Sequence, residues 1–501
     1  MKLDEKMMEK LFLVSLLVLG IVFVYLASQT QMLGEDEAFF YDLGITFSQS
    51  EYPAYDSGNR ATGTMQPLIP LILSVPFMIF GPSLALAKMI IASFGILTML
   101  VVYLIGKRIN VFYGILAAFI LLSATLFSHY MMLVYLEIPV AFFSALATYV
   151  ILNMDSGKGA VLTGVVLFLS FIAKQSGLFL IAGLFIFEIL VYLHKKDKEI
   201  LRNLFIALVI AAMLSMAFPL RNIILYDYPH ILFLNSFFDA PTDAFSGWSG
   251  ITAQDFSNHM FTLDSYISNT SYLMMISMIF SVVLFFMEAG KNKVNKDVAF
   301  FMLLAAIFLL LYNIYYFLQL GISEPRNIFI IFPQMALIGG FFIYRLKDYK
   351  KIFTVLLLSF VIVSIYFSSI VAMSTSSSQR YSDNYVNALT WLGKNTQEDE
   401  FVLTTYAGSV KYFAQRDAIW VIDELPEIMS TSDSTYIYDT LKDYNVSYIL
   451  VWSSVLGNNF VVPESNLLGI FTTNFLDVVM NDPDHFNATY QNTESIIFEL
   501  I

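Results

Sequence analysis

The sequence is dominated by long apolar runs, each separated from the next by a short cluster of lysine or arginine. A helix rises about 1.5 Å per residue, so ~20 apolar residues cross the hydrocarbon of a bilayer. Runs of that kind lie at about 11–28, 84–105, 111–128, 138–153, 160–173, 177–193, 204–220, 267–288, 298–319, 327–345 and 352–373. A chain that is 57% hydrophobic and 13% charged carries about half the ~25% charge of a soluble domain. The pattern predicts a mostly α, polytopic membrane protein with about 11 transmembrane helices. With no cysteine, disulfides, thiolate metal sites and cysteine nucleophiles are excluded.

Positive charge collects in short cytoplasmic loops. Pro67–Gly81 (PLIPLILSVPFMIFG) is apolar but short, and it holds Pro67, Pro70 and Pro76, residues that break or kink a helix. If this segment spans, every later basic cluster falls outside. If it lies in the interface or re-enters, the clusters at Lys2–Lys10, Lys107/Arg108, Lys158, Lys195–Arg202, Lys291–Lys296 and Arg345–Lys351 all fall inside. They hold 17 of the 27 basic residues. The second topology is therefore expected, with interfacial helices in the first outer loop, a cytoplasmic N-terminus and an extracytoplasmic C-terminus. The first apolar run is read as an uncleaved helix, because no small-residue cleavage site follows it. The three N-x-S/T sequons, at Asn269, Asn445 and Asn487, then all lie outside.

Residues 376–501 carry 17 acidic and 5 basic side chains, a net −12, against 23 and 22 in residues 1–375. Such an acidic tail argues against nucleic acid, which needs a basic footprint. Within it, β-rich apolar runs (Phe401–Thr404, Ile419–Ile422, Tyr448–Trp452) alternate with helical patterns (Tyr385–Lys394, Ser409–Phe413, Tyr436–Asp443). Two domains are expected, a transmembrane domain over 1–375 and a soluble α/β domain over 376–501, with Ser374–Ser378 as linker.

Five basic residues remain outside in the membrane domain: Arg60, Lys88, Lys174, Arg221 and Arg326. The acids nearest them are Glu35, Asp36, Glu37, Asp42, Glu137 and Glu324. Ionisable groups set among apolar runs face a partner or a cavity. One account is internal pairing, such as Glu137 with Lys174 or Glu324 with Arg326. The other is a single outer cavity in which arginine and lysine receive a phosphate and a carboxylate acts as general base. His129, near Glu137, is read as structural, and the 23 methionines as packing.

The order of these features resembles a known family. It runs GEDEAFFYDLG in the first outer loop, PLIPLILSVPFMIFG, LEIPVAFF around Glu137, AKQSG around Lys174, PLRN at Pro219–Asn222, and EPRNIFIIFP around Arg326. This is similar to the C-type glycosyltransferase superfamily, in its branch of protein O-mannosyltransferases and aminoarabinose transferases. The resemblance implies transfer of a single sugar, mannose being the commonest, from a polyprenyl- or dolichyl-phosphate donor to a hydroxyl of a protein, glycan or lipid acceptor. It implies that Asp36 or Glu37 is the base, that Glu137 assists or joins a metal site, and that Lys174 and Arg326 hold the lipid phosphate. Arg221 matches more loosely, and Arg60 is a further candidate. Asp36, Glu37 and Glu137 can supply oxygen ligands for magnesium or manganese, or the outer basic residues can neutralise the phosphate unaided. Phe39–Phe40 stands where aminoarabinose transferases carry Arg-Tyr, and no Trp-Trp-Asp-Tyr-Gly motif surrounds the tail tryptophans. The competing classes are a transporter or flippase for lipid-linked sugars, which often shows inverted halves, and a non-catalytic binding protein.

Overall fold

The computed structural model describes residues 5–32, 34–49, 66–152, 157–174, 176–217, 220, 272–289, 303–304, 307, 311, 329–345, 350–377, 381–397, 399–404, 406–419, 424–452, 471 and 473–501. Its helices are α1 (Glu5–Gln29), α2 (Glu35–Ser48), α3 (Leu68–Phe80), α4 (Leu84–Lys107), α5 (Val111–Ser123), α6 (Thr125–Tyr130), α7 (Glu137–Ile151), α8 (Gly157–Ala173), α9 (Gly177–Lys195), α10 (Lys198–Ser215), α11 (Tyr272–Ala289), α12 (Phe332–Arg345) and α13 (Lys350–Ser376). Contacts divide the chain into two compact units. One comprises Met1–Thr30, Gln66–Ile69 and Ser83–Ser377; the other comprises Gln31–Met65, Pro70–Pro82 and Ser378–Ile501.

The first unit is helical. Along α1, Phe12, Leu16, Leu19, Phe23 and Ala27 are buried, a spacing of three and four that sets them on one face. The opposite face is equally apolar: Leu17 is 65% exposed and Ile21 62%. A helix apolar all round, with one side against protein, presents the other to lipid. Three described helical stretches are long and apolar enough to cross a membrane: Glu5–Gln29, Leu84–Lys107 and Leu358–Ser376. Six shorter apolar helices are also described, of which Leu68–Phe80 falls mostly in the second unit. The chain is a mostly helical membrane protein, and its described residues do not by themselves establish the expected count of eleven spans. The run at 298–319 lies almost wholly outside them.

Two expectations need correction. The run at 111–128 is broken, because Ala124 is extended (φ −69°, ψ 115°) between α5 and α6. Ser128 Oγ donates to the Leu122 carbonyl at 3.0 Å, satisfying an acceptor that the break leaves open. The serine-rich Ser374–Ser378 does not start as a linker, since α13 runs through Ser376. Ser376 and Ser377 hydroxyls donate back to the carbonyls of Met373 (2.9 Å) and Ser374 (3.1 Å), which keeps the helical turn closed.

The α4–α5 hairpin depends on glycine. A Cβ on Gly114 would stand 2.5 Å from the Tyr103 carbonyl oxygen, and one on Gly106 would stand 2.6 Å from Gly114 Cα. Asn110 caps α5 by accepting from Phe112 N at 2.9 Å, and its amide donates to Glu5 Oε1 at 3.0 Å. Polar side chains also bind helix to helix: Tyr113 Oη donates to the Leu337 carbonyl, and the buried Gln334 amide meets the hydroxyls of Ser144 (3.0 Å) and Thr148 (2.9 Å).

The second unit holds a five-stranded sheet of β1 (Phe401–Thr404), β2 (Asp417–Ile419), β3 (Val446–Trp452), β4 (Phe486–Gln491) and β5 (Ser495–Leu500), in the order β2-β1-β3-β5-β4. β1 pairs parallel with β2 and with β3, while β5 runs antiparallel to β3 and β4. Helices α14 (Asp383–Asn395), α15 (Leu425–Ser430), α16 (Ser434–Asp443) and α17 (Thr473–Asn481) pack with it. Ile437, Leu441, Ile449, Phe475 and Phe498 share one buried core. The β2 strand begins at Asp417, two residues before the expected run. Also in this unit, Gly44 of α2 lies against Leu73 and Phe77 of α3.

Replacing Gly114 by alanine forces the α4–α5 hairpin apart, a strain of about 1–3 kcal/mol for overpacking. The thermal midpoint of the detergent-solubilised Gly114→Ala protein should drop by several degrees. Gly157→Ala is the control: nothing lies within 4 Å of its added Cβ, and its midpoint should not fall.

Candidate functional site

Glu137 is the first residue of α7, where the helix's positive end favours a carboxylate. Lys174 sits in the turn between α8 and α9, and this turn is tight. Lys174 N donates to the Ser170 carbonyl at 3.2 Å, and Gly177 N donates to the Lys174 carbonyl at 2.9 Å. A Cβ on Gly177 would run into the Ser170 carbonyl, so AKQSG folds this way only with glycine at its end. The turn delivers Lys174 Nζ to Glu137 Oε1 at 2.5 Å, with the carboxylate 2% exposed and the lysine 14%. The pairing expected from their positions is therefore present. Two charges this far from water hold each other strongly, and either one alone would be costly.

Three more polar residues lie in the same unit. Lys88 on α4 is fully buried and within electrostatic reach of His129. His129 Nδ1 contacts Thr375 Oγ1 of α13 at 2.8 Å, and its ring meets Tyr130 edge-on at 5.3 Å. The sequence signal for Lys88 was a lysine inside an otherwise apolar run, but nothing in its spacing distinguished buried from snorkelling.

Asp36 and Glu37 both lie in the first turn of α2, yet their environments differ. Asp36 is half-buried, whereas Glu37 is fully buried. Glu37, Tyr41 and Gly44 follow at spacings of four and three, so they share one stripe of the helix. That stripe faces protein: the Tyr41 ring meets Phe77 at 5.5 Å and Tyr412 at 5.7 Å, both edge-on. Tyr412 belongs to a π-helical turn, Val410–Ala414, that follows a short helical turn at Ala407–Ser409. Burial pushes the Tyr41 hydroxyl up to about 12, helped by Tyr412 and Asp42. Burial also raises Tyr412, with Glu37 adding to the effect. The Tyr41–Tyr412 contact was not legible beforehand, because nothing in a sequence pairs residues so far apart.

Arg60, Arg221 and Arg326 lie outside the described residues, as does the sequon at Asn269. Among the described residues, no three histidine, cysteine, aspartate or glutamate side chains gather as a metal site would require. Glu137 already gives one oxygen to Lys174, so its donor set suits the cation it holds, and magnesium or manganese finds no ready-made cage among the described residues.

No protein-family model matches the chain. No curated protein matches it in sequence either. Solved structures do. The chain is similar to ArnT from Cupriavidus metallidurans bound to undecaprenyl phosphate, with a TM-score of 0.62 and 12% identity, covering 97% of each chain. It is also similar to the archaeal oligosaccharyltransferase AglB from Archaeoglobus fulgidus, in complex with an inhibitory peptide and a dolichol-phosphate. That likeness has a TM-score of 0.59 and 14% identity over 87% of this chain and 69% of that one. A further structure of the Archaeoglobus fulgidus oligosaccharyltransferase, with Zn and sulfate, gives a TM-score of 0.59 and 14% identity over 96% of this chain. The chain shares the fold of these structures.

Two outcomes follow from the geometry. Glu137→Gln and Lys174→Met should each destabilise the protein by about 3–5 kcal/mol, because each strands a buried charge, while the double variant should lose less than the sum; denaturant unfolding in detergent measures the cycle. The tyrosines set an alkaline limit. A folded-state pKa above the ordinary 10 means that the folded protein keeps its protons longer than the unfolded chain. Stability is then fully present below pH 10 and falls as pH rises toward about 12. Tyr41→Phe should flatten that alkaline limb in a series of thermal midpoints.

Proposed function

We propose that this protein is a membrane glycosyltransferase that moves one sugar from a polyprenyl- or dolichyl-phosphate donor to an acceptor hydroxyl at the outer face of the membrane. The observation that carries this reading is the fold, shared with structures that hold undecaprenyl phosphate and dolichol-phosphate. The buried Glu137–Lys174 pair supports it, because it holds a lysine in a dry setting with little solvent to screen it. The polyprenyl phosphate that leaves becomes a dianion, a stronger partner for that ammonium than a single carboxylate oxygen, and a low dielectric magnifies the difference.

The chemistry is one displacement. The acceptor oxygen attacks the anomeric carbon, the bond from that carbon to the phosphate oxygen breaks, and the polyprenyl phosphate leaves with the electron pair. A single displacement inverts the anomeric centre. Asp36 takes the acceptor proton as general base. It is preferred to Glu37 because its half-buried side chain can meet a substrate, whereas Glu37 is enclosed against protein. Lys174 neutralises the departing phosphate, with Arg326, Arg221 and Arg60 as further cations for it. The sugar is taken as mannose, from the family resemblance. The N-terminus is assigned to the cytoplasm and the C-terminal α/β domain to the outside, from the placement of the basic residues.

The test is sugar transfer from radiolabelled polyprenyl-phosphate-mannose by the purified full-length protein. Asp36→Asn should lower kcat by about 10²–10⁴ while still binding the donor, and Glu37→Gln should retain more activity. Lys174→Met should weaken donor binding. An active wild type untouched by Asp36→Asn would move the base to Glu37 or Glu137. A wild type inert with several lipid-linked sugars and acceptors would favour transport or binding instead.

A further inference from the structure

At the carboxyl ends of β1 and β3, adjacent parallel strands, an aromatic cluster stands at the edge of the sheet. Leu450 pairs with Thr404, the last residue of β1, so Trp452 and Tyr406, two residues further along each chain, stand at the same level. Their rings meet edge-on at 4.7 Å. Tyr385 of α14 stacks on Trp452 at 4.5 Å, and Tyr381 lies 6.3 Å from the same indole. Tyr381 and Tyr385 are buried, whereas Tyr406 and Trp452 stay half-exposed. The cluster continues to α2: Tyr381 meets Phe413 at 5.6 Å, Phe413 meets Tyr412 at 4.8 Å, and Tyr412 meets Tyr41.

Three observations separate this cluster from ordinary core. First, it sits where open α/β sheets bind ligands: at the carboxyl edge, between strands whose connections leave in opposite directions, since β2 and β3 flank β1 on its two sides. Second, the Trp452 indole nitrogen is enclosed and has no hydrogen-bond partner. A buried donor without an acceptor is uncommon and costly, whereas Tyr385 Oη is satisfied by Ser409 Oγ at 2.7 Å. Third, the domain around it is strongly acidic, with a net −12 over residues 376–501. That field repels a lipid phosphate and is indifferent to a neutral ligand.

We infer that the cluster around Trp452 and Tyr406 is a binding subsite for a neutral pyranose of the acceptor. A pyranose offers an apolar face of C–H groups for the half-exposed rings, and a small shift of the indole on binding brings its enclosed N–H to a sugar hydroxyl oxygen. It carries no charge for the acidic domain to repel. This inference rests on the glycosyltransferase reading for the word acceptor, but the binding event itself does not. The subsite lies in the same compact unit as α2, which carries Asp36, and the aromatic cluster runs from the sheet edge to that helix.

The experiment is equilibrium binding, without donor, of maltotriose, mannotriose and diacetylchitobiose to the full-length protein in detergent, read by isothermal titration and by saturation-transfer NMR. Wild type should bind at least one of them. Trp452→Phe keeps one aromatic ring but removes the N–H and the fused second ring, so it should weaken binding at least about tenfold, the loss of one hydrogen bond together with stacking area. Tyr406→Ala should weaken it further, with thermal midpoints confirming that both variants fold. Failure of all three sugars to bind, or affinities unchanged in both aromatic variants, would overturn the subsite even if sugar transfer is observed. Sugar binding that depends on Trp452 in a protein inert toward every lipid-linked donor would keep the subsite and overturn the glycosyltransferase reading instead.

Discussion

Hydrocarbon offers a peptide group nothing to hydrogen-bond with, and most of this molecule follows from that constraint. Backbone groups satisfied within their own segment mean helices, which is why a string of apolar runs could be read as a bundle at once. Side-chain hydroxyls obey the same rule. Thr98, Thr148, Ser170 and Ser281 each turn back to a carbonyl one turn earlier, at 2.7–3.0 Å. Gln334 reaches across to another helix and meets the hydroxyls of Ser144 and Thr148 of α7. Charge is the extreme case, and Glu137 and Lys174 meet because neither could remain there alone.

The same dryness makes that pair chemically useful. A lysine on a water-covered surface would give little to a phosphate, since solvent screens both. One that is 14% exposed beside a carboxylate 2% exposed interacts through a much lower dielectric. Its resting partner keeps it charged and in place, and a ligand with more negative charge can compete for it. In the function proposed above, structural pairing and phosphate binding are successive states of one lysine.

How much of this was legible in the residues varied with the range of the interaction. Helices α4, α8 and α9 begin and end within a few residues of their apolar runs, because length and hydropathy are local properties. The break at Ala124 was not visible, since LSATLF holds no glycine, proline or charge to mark it. In the soluble domain, β1 and β3 stood out as β-branched apolar runs. The β4–β5 hairpin did not, because β4 is mostly exposed at the sheet edge and lacks alternation. Its turn did carry a signal: Asn492 Oδ1 accepts from the backbone of Glu494 and Ser495, an Asx turn that an asparagine before a polar pair can announce. Asp36, Glu37, Glu137 and Lys174 were found because charge among apolar residues is conspicuous. The Tyr41–Tyr412 and Trp452 contacts are joins between distant segments, which no local pattern encodes.

Two neighbouring carboxylates on one helix show why position along the chain is a poor guide to role. Asp36 and Glu37 differ by one residue, which is 100° around a helix, and that rotation carries one from a half-exposed face to a closed one. On the closed face, Glu37 shares its stripe with Tyr41 and adds its charge to the burial that raises Tyr412. A buried acid beside two neutral phenols is held by packing that a substrate would have to undo. An acid on the open face needs no such rearrangement to accept a proton.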